Sequence, residues 1–400
     1  MKKTINDLKL KGKKVLVRVD FNVPVKDGVI SSTKRITAAL PTIQKVIEEG
    51  GKVILLSHLG RVKSSEDLES KSLKPVAVEL ARQLRKTVTF VNQTRGEVLE
   101  QTIAQMQEGD VLLMQNTRYE DLNDKAESKN NPELGAYWAS LGDVFINDAF
   151  GTAHRAHASN VGISSNIAES ALGYLMEKEV SSLNKAIESP EHPYVAIIGG
   201  AKVSDKLPVL ENLVKIADKM IIGGGMAYTF LKAQGHSIGT SLVEDEYLDL
   251  AKQFLEKYGE KVILPVDHAC AQEFADVEPT YFGLEIADGY MGLDLGPESM
   301  ELFVKALEGA KTVVWNGPMG VTEFKHYEAG TLAVCKAVAD LEGCYSVVGG
   351  GDSVAAVEKL GMEQEFSHVS TGGGASLELL QGLKLPGVEA VQDKPANKKK

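Results

Sequence analysis

From residue 15 to residue 369 the chain alternates short apolar runs with stretches of helical spacing, and it does so twice over. In the first half, residues 15–19, 53–56, 88–91, 111–114 and 144–146 read as strands, with helical patterns over 36–49, 73–85 and 132–141. The second half repeats the scheme, with strands at 195–198, 220–222, 262–264, 312–315, 345–348 and Val369, and helices over 247–258, 298–307 and 331–339. Strands that alternate with helices build βαβ units, and these assemble into parallel sheets with helices on both faces. The chain is therefore predicted to be α/β, with two doubly wound, Rossmann-like parallel sheets. Its 400 residues exceed what one compact core holds, so two domains follow. The predicted boundaries are 1–172 for the first domain, 173–188 for a hinge helix closed by Ser189-Pro190, and 189–381 for the second. Residues 382–400 are expected to return to the first domain, with the charged stretch from Gln392 to Lys400 disordered.

A net charge of −11 argues against a general nucleic-acid binder, and no apolar stretch is long enough to span a membrane. The first residues carry lysines without an apolar segment behind them, which is not a secretory signal. Three cysteines without a C-x-x-C pair fit reduced thiols in the cytosol. The arginines are distributed unevenly: all eight lie at or before Arg155, while lysines run throughout. Arginine suits bidentate capture of carboxylate and phosphate, so the first half is expected to grip a small polyanion and the second to bind something else. Chance or surface solubility accounts well enough for Arg82, Arg85 and Arg95.

Ligands of open α/β sheets bind beyond the carboxyl ends of the strands, and the unusual residues cluster there. In the first half these ends carry Asp20, Asn22, His58, Arg61, Asn116, Arg118 and the run from Asn147 to Arg155. In the second they carry Gly199-Gly200, Gly223-Gly224-Gly225, Asn316-Gly317-Pro318, Gly349-Gly350-Gly351-Asp352 and Thr371-Gly372-Gly373-Gly374. Four glycine clusters at strand ends in one half point to backbone that approaches a phosphate or a base closely, although one such cluster alone is better read as a tight turn. After Gly199-Gly200 a helix is expected near Ser204, a natural N-cap. Lys202 and Lys206 then reach one anion, or are merely solvated. Asp352 reads equally as a helix cap or as an oxygen ligand for Mg²⁺ beside a triphosphate. His58 is either a buried structural histidine or, beside Arg61, an anion contact. His154 and His157 lack a third ligand at metal-binding spacing. G-x-x-x-x-G-K-[ST] and G-x-G-x-x-G are both missing, which disfavours a P-loop enzyme and a nicotinamide dehydrogenase. A non-catalytic nucleotide-binding module would keep the glycines but lose the arginine-rich crevice.

Seven motifs carry a resemblance. Arg18-Val-Asp-Phe-Asn-Val-Pro24, His58-Leu-Gly-Arg61, Asn147-Asp-Ala-Phe-Gly-Thr-Ala-His-Arg-Ala-His157, Gly199-Gly-Ala-Lys-Val-Ser-Asp-Lys206, Trp315-Asn-Gly-Pro-Met-Gly320, Gly349-Gly-Gly-Asp352 and Thr371-Gly-Gly-Gly-Ala-Ser376 resemble phosphoglycerate kinase, in order and over nearly the whole chain. The resemblance implies Mg²⁺-dependent phosphoryl exchange between ATP/ADP and 3-phosphoglycerate/1,3-bisphosphoglycerate, in a cytoplasmic, monomeric enzyme that works by hinge bending. It implies that Asp20, Asn22, Arg35, His58, Arg61, Arg118 and Arg155 hold the acid. It gives the nucleotide to Gly200, Lys202, Lys206, Gly224, Gly225, Gly292, Leu293, Asn316, Pro318, Glu323, Gly350, Gly351, Asp352 and Ser353, with the metal on Asp352. Arg35, Lys202 and the backbone at Gly372 and Gly373 are implied to act on the transferring group. The chain departs from the family pattern at Val62, Gln115 and Thr322, where Pro, Glu and Phe are common.

Overall fold

The computed structural model describes residues 1–396. The chain divides into two compact units, one of residues 1–180 together with those from Lys384 on, the other of Ser181–Leu383.

In the first unit six strands form one sheet: β1 (Lys14–Arg18), β2 (Lys52–Leu56), β3 (Val88–Val91), β4 (Val111–Met114), β5 (Val144–Asn147) and β6 (Glu169–Leu172). Their order is β3-β4-β2-β1-β5-β6 and every pair is parallel. Val15, Val17, Val53, Leu55 and Ile146 pack into one core, while Leu16, Ile54, Leu56, Leu112 and Phe145 pack into another on the opposite face. A sheet buried on both faces needs apolar residues at every position, which is why its strands read as unbroken runs. Strand β6 escaped the sequence reading because Glu-Ser-Ala-Leu has no β-branched or aromatic residue; it pairs with β5 on one side and with the N-terminal segment at Thr4 on the other, and is buried there. The helix Glu97–Ala104 was likewise not foreseen. Helix α1 (Lys34–Glu48) turns Ile36, Ala39, Ile43 and Val46 into the core, so Arg35 stands on a rigid first turn.

The C-terminal segment is ordered well past the point expected. The Gln392 N–H donates to Ser170 Oγ at 3.0 Å, Lys3 N–H to the Gln392 carbonyl at 2.8 Å, and Lys394 N–H to the Met1 carbonyl at 2.8 Å. Lys2 and Asp393 form an ion pair at 3.2 Å. Backbone pairing with the N-terminus thus overrides a charged composition, and disorder from Gln392 onward is corrected; residues 397–400 lie outside the described residues. Helix α2 (Tyr174–Ile187) begins where Asp148 Oδ1 accepts the N–H groups of Leu175 (3.0 Å) and Met176 (3.3 Å). The division between the units falls inside this helix, between Val180 and Ser181.

The second unit is built on β7 (Tyr194–Ile198), β8 (Lys219–Ile222), β9 (Val262–Ile263), β13 (Thr312–Asn316), β14 (Tyr345–Gly349) and β15 (His368–Val369). Their order is β9-β8-β7-β13-β14-β15, again parallel throughout. Between β9 and β13 the chain makes an antiparallel sheet that the sequence reading missed: β10 (His268–Ala271), β11 (Thr280–Phe282) and β12 (Met291–Leu295), in the order β11-β10-β12. These strands are short: β10 has no β-branched residue, β11 has three residues, and β12 is interrupted by Gly292 and Asp294, so no period of two emerges. The helices that matter for the site are α3 (Val203–Val214), α4 (Ala227–Ala233), α5 (Gly351–Lys359) and α6 (Gly374–Leu380). All three cysteines are free; Cys270 and Cys335 are buried and Cys344 partly so. Among the described residues no helix is long and apolar enough to cross a membrane.

Candidate active site

Because each main sheet is parallel, the carboxyl ends of its strands share one edge. In the first unit that edge is organised by a residue whose role the sequence did not disclose. Arg18, the last residue of β1, is fully buried. Its Nε donates to Ser159 Oγ at 2.9 Å, its Nη1 to the Val19 carbonyl at 2.5 Å, and its Nη2 meets His58 Nδ1 at 2.9 Å. A guanidinium only donates, so Nδ1 of His58 accepts and the ring proton resides on Nε2. Burial first, then the charges of Arg18, Arg118, His157 and Arg35, hold His58 well below the ordinary histidine range. His58 is thus a neutral Nε2–H donor. Of the two sequence readings, the buried structural histidine is present, and its free N–H leaves the anion contact open. Burial also lowers His157 to about 4, with Arg18 and Arg118 acting in the same sense.

The loop residues lock to one another. Asp20 Oδ1 accepts from Asn22 N–H at 3.1 Å and faces Arg35 Nη1 at 3.5 Å, while Arg35 Nη1 donates to the Asn22 carbonyl at 2.7 Å. Asn22 Oδ1 accepts from Gly60 N–H at 2.8 Å, and Arg118 Nη1 donates to the Gly60 carbonyl at 2.5 Å. Burial lowers the pKa of Arg118, with nearby Arg61 adding to the effect and Asp121, Glu127 and Asp20 opposing it. Buried Glu127 accepts Ser159 N–H at 2.8 Å and supplies negative charge to Arg18. Arg61 and Arg155 are exposed at the same edge. The remaining arginines are employed elsewhere: Arg82 pairs with Glu79 at 2.7 Å, Arg95 with Glu120 at 2.9 Å, and Arg85 ends a helix with φ of 52°. Five guanidinium groups and one neutral imidazole therefore surround this edge. Such a set matches a small acid bearing more than one negative charge.

In the second unit the edge is built from backbone. A Cβ on Gly224 (φ 73°) would lie 2.7 Å from Gly200 N and 2.8 Å from the Pro318 carbonyl; one on Gly317 (φ 99°) would lie 2.2 Å from the Gly199 carbonyl oxygen. The turns after β7, β8 and β13 are thus pressed together, which only glycine permits. Helix α3 starts two residues earlier than a Ser204 cap implies. Lys202 is its N-cap, and Ser204, predicted to cap, lies in the first turn with its hydroxyl donated to Glu244 Oε2 at 2.6 Å. Lys202 is exposed and forms no ion pair among the described residues, whereas Lys206 Nζ donates to Asn316 Oδ1 at 2.5 Å. Burial lowers the pKa of Lys206, opposed by Asp205 and Asp352. Helix α5 is capped by Gly350 (φ 90°), with Gly351 and Asp352 following in the first turn. Asp352 is not the N-cap, so the capping alternative lapses; its carboxylate is exposed and makes no cap hydrogen bond. Ser353 is buried, with its hydroxyl accepting Gly317 N–H at 2.8 Å. Gly373 (φ 52°) caps α6, and Gly372 N–H donates to Ser370 Oγ at 3.3 Å. Glu323 is exposed, and Gly292 N–H donates to Ser241 Oγ at 2.9 Å against the Tyr228 ring. Leu293 is buried with Ala269, Ala271 and Tyr327. Gly225 backs onto Leu242. Among the described residues no group of three or more His, Cys, Asp or Glu is placed to hold a metal.

The three departures from the family pattern are accommodated. Gln115 uses its whole amide: Oε1 accepts from Leu73 (3.0 Å) and Asn116 (2.8 Å), and Nε2 donates to Ser72 (3.0 Å) and Asn92 (2.9 Å). Val62 is buried and Thr322 half-buried.

Two doubly wound parallel sheets, one edged with arginines and the other with glycines and lysines, define an α/β enzyme equipped for two anionic ligands. The comparisons agree in detail. Residues 5–383 match the family described as phosphoglycerate kinase. The chain is 60% identical to a phosphoglycerate kinase of Enterococcus faecalis over 98% of its own length and 100% of that protein, and 59% identical to one of Lacticaseibacillus casei over 98% and 99%. The structure of phosphoglycerate kinase from Coxiella burnetii superposes with a TM-score of 0.89 at 42% identity, covering 98% of each chain. That from Pyrococcus horikoshii gives 0.82 at 32% identity, covering 97% of this chain and 98% of that one. The chain belongs to the phosphoglycerate kinase family.

Proposed function

We propose that this chain catalyses reversible phosphoryl transfer between ATP and the carboxylate of 3-phosphoglycerate, giving ADP and 1,3-bisphosphoglycerate, as in glycolysis. The observation that carries this reading is the convergence of Arg18, Arg35, Arg61, Arg118 and Arg155 with neutral His58 at one sheet edge, in a chain whose other sheet edge is lined with glycine and lysine. Asp20, Asn22, Arg35, His58, Arg61, Arg118 and Arg155 bind the acid. Gly200, Lys202, Lys206, Gly224, Gly225, Gly292, Leu293, Asn316, Pro318, Glu323 and the turn from Gly350 to Ser353 bind the nucleotide.

The acceptor carboxylate, with an ordinary pKa of about 3.5, is ionised at neutral pH. Its oxygen attacks the γ-phosphorus, the bond to the bridging oxygen breaks, and ADP leaves with that electron pair. No proton moves, so no general base is required. What the protein supplies is position and charge: Arg35 on the acid, Lys202 on the equatorial oxygens of the transferring group, and the backbone turn at Gly372 and Gly373. Asp352, an exposed carboxylate in the first turn of α5, would hold the Mg²⁺, and the ion would offset the charge of the phosphates. Reacting atoms must come within about 3–3.5 Å, and the hinge assigned to residues 173–188 serves that requirement. A cytosolic monomer is the expectation carried by the family alone.

The test is a coupled assay for ADP formed from ATP·Mg with and without 3-phosphoglycerate. Turnover is expected only with the acid; equal ADP release in its absence would make the chain an ATPase. Asp352→Ala is expected to weaken binding of Mg·ADP by about tenfold or more while metal-free ADP changes little, read by calorimetry with and without chelator. Equal losses in both conditions would remove the metal role.

A further inference from the structure

The stretch Ser241–Asp245 belongs to no predicted site, yet it touches three elements that carry one. Ser241 Oγ accepts Gly292 N–H at 2.9 Å, and the Leu242 side chain lies 3.1 Å from where a Cβ on Gly225 would stand. Glu244 then reaches the first turn of α3. Its Oε1 accepts Ser204 N–H at 3.1 Å and its Oε2 accepts the Ser204 hydroxyl at 2.6 Å.

This matters because of what α3 lacks. Its N-cap is Lys202, whose side chain accepts nothing, so the opening N–H groups have no local acceptor. A carboxylate forty positions on in sequence does the capping instead. That carboxylate is itself tethered: Glu244 N–H donates to buried Thr229 Oγ1 at 3.1 Å, and Asp245 pairs with Lys232 at 2.7 Å, both partners on α4. Helix α4 follows directly on the Gly223-Gly224-Gly225 turn. The first turn of α3, with Lys202 before it and Lys206 within it, is thereby fixed to the neighbouring glycine turn by two hydrogen bonds from one side chain.

We infer that Glu244 is a positioning residue for nucleotide use: through Ser204 it sets the start of α3 and hence the direction of Lys202 and Lys206. Its assigned role runs through these lysines and not through contact with a substrate. The inference rests on the assignment of the nucleotide to these lysines.

The experiment is steady-state kinetics on the full chain. Glu244→Ala is expected to lower kcat/KM for ATP·Mg about tenfold, the scale of losing hydrogen bonds to a charged acceptor, with KM for 3-phosphoglycerate within about twofold. Glu244→Gln keeps a carbonyl for Ser204 N–H and an amide N–H for the hydroxyl oxygen, so it should return to within about twofold of wild type. Because both residues act as one unit, Ser204→Ala combined with Glu244→Ala should be no worse than Glu244→Ala alone. A Glu244→Ala enzyme within about twofold of wild type, additive losses in the double variant, or a Glu244→Gln enzyme as poor as the alanine variant would each overturn the inference. If Glu244→Ala does not fold, Ser204→Ala carries the test: about threefold loss in kcat/KM for ATP·Mg is expected, and none overturns it. Lys202→Ala and Asp352→Ala serve as controls for the parent reading. If they too leave ATP kinetics unchanged, the nucleotide assignment has failed; if they impair the enzyme and Glu244→Ala does not, only this inference has.

Discussion

Replacing Lys202 by alanine should lower kcat by about a hundredfold or more while changing the affinity for either substrate by less than about threefold. The contrast between two lysines four residues apart leads to this expectation. Lys206 is half-buried and already donates to Asn316, so part of its work is done before any ligand arrives. Lys202 caps α3, is exposed, and has no ion-pair partner among the described residues. An ammonium with no ground-state partner can be reserved for charge that develops only during transfer, and such an interaction appears in kcat rather than KM. Stopped-flow or steady-state assays at saturating ATP and acid decide it. A normal kcat with raised KM would make Lys202 an ordinary phosphate-binding residue.

Arg18→Met is expected to cost about 3 kcal/mol or more of stability and to weaken acid binding by at least about tenfold, with ADP affinity unchanged. Methionine fills much of the same volume, but Ser159, the Val19 carbonyl and His58 each lose a donor at a fully buried position. Glu127 loses a compensating charge in the same core. His58 also loses the donor that fixes its Nδ1 as acceptor, so its Nε2–H is no longer guaranteed to face the acid. Arg18→Lys should not rescue, since an ammonium cannot serve three separated acceptors in the plane of a guanidinium. Urea unfolding and calorimetry on the same preparation measure both effects. Unchanged stability together with unchanged acid affinity would contradict the assigned role.

Arg18 also marks where sequence reading ends. Its position in a strand was visible, as were the strands themselves, because a sheet buried on both faces writes an uninterrupted apolar signal. The glycine and arginine clusters were visible for a related reason: each sits directly after a strand, where local order places it at the ligand edge. The partners of Arg18 are His58 and Ser159, 40 and 141 residues away, and no local pattern encodes that meeting. Glu244 and Ser204 are invisible for the same reason. Ser204 was mistaken for the N-cap because serine commonly is one; the distant carboxylate lets the helix begin at Val203 with a lysine before it. Strands β10–β12 were missed because strands this short become strands through pairing, not through propensity.

The division of labour between the two sheet edges is the central claim, and isothermal calorimetry of a crossed pair of variants tests it most directly. Arg155→Ala should weaken 3-phosphoglycerate binding by about tenfold or more and leave ADP within about twofold of wild type. Lys206→Ala should do the reverse. If Arg155→Ala lowers ADP affinity as much as acid affinity, or Lys206→Ala weakens the acid instead of the nucleotide, the assignment of one ligand to each edge is wrong.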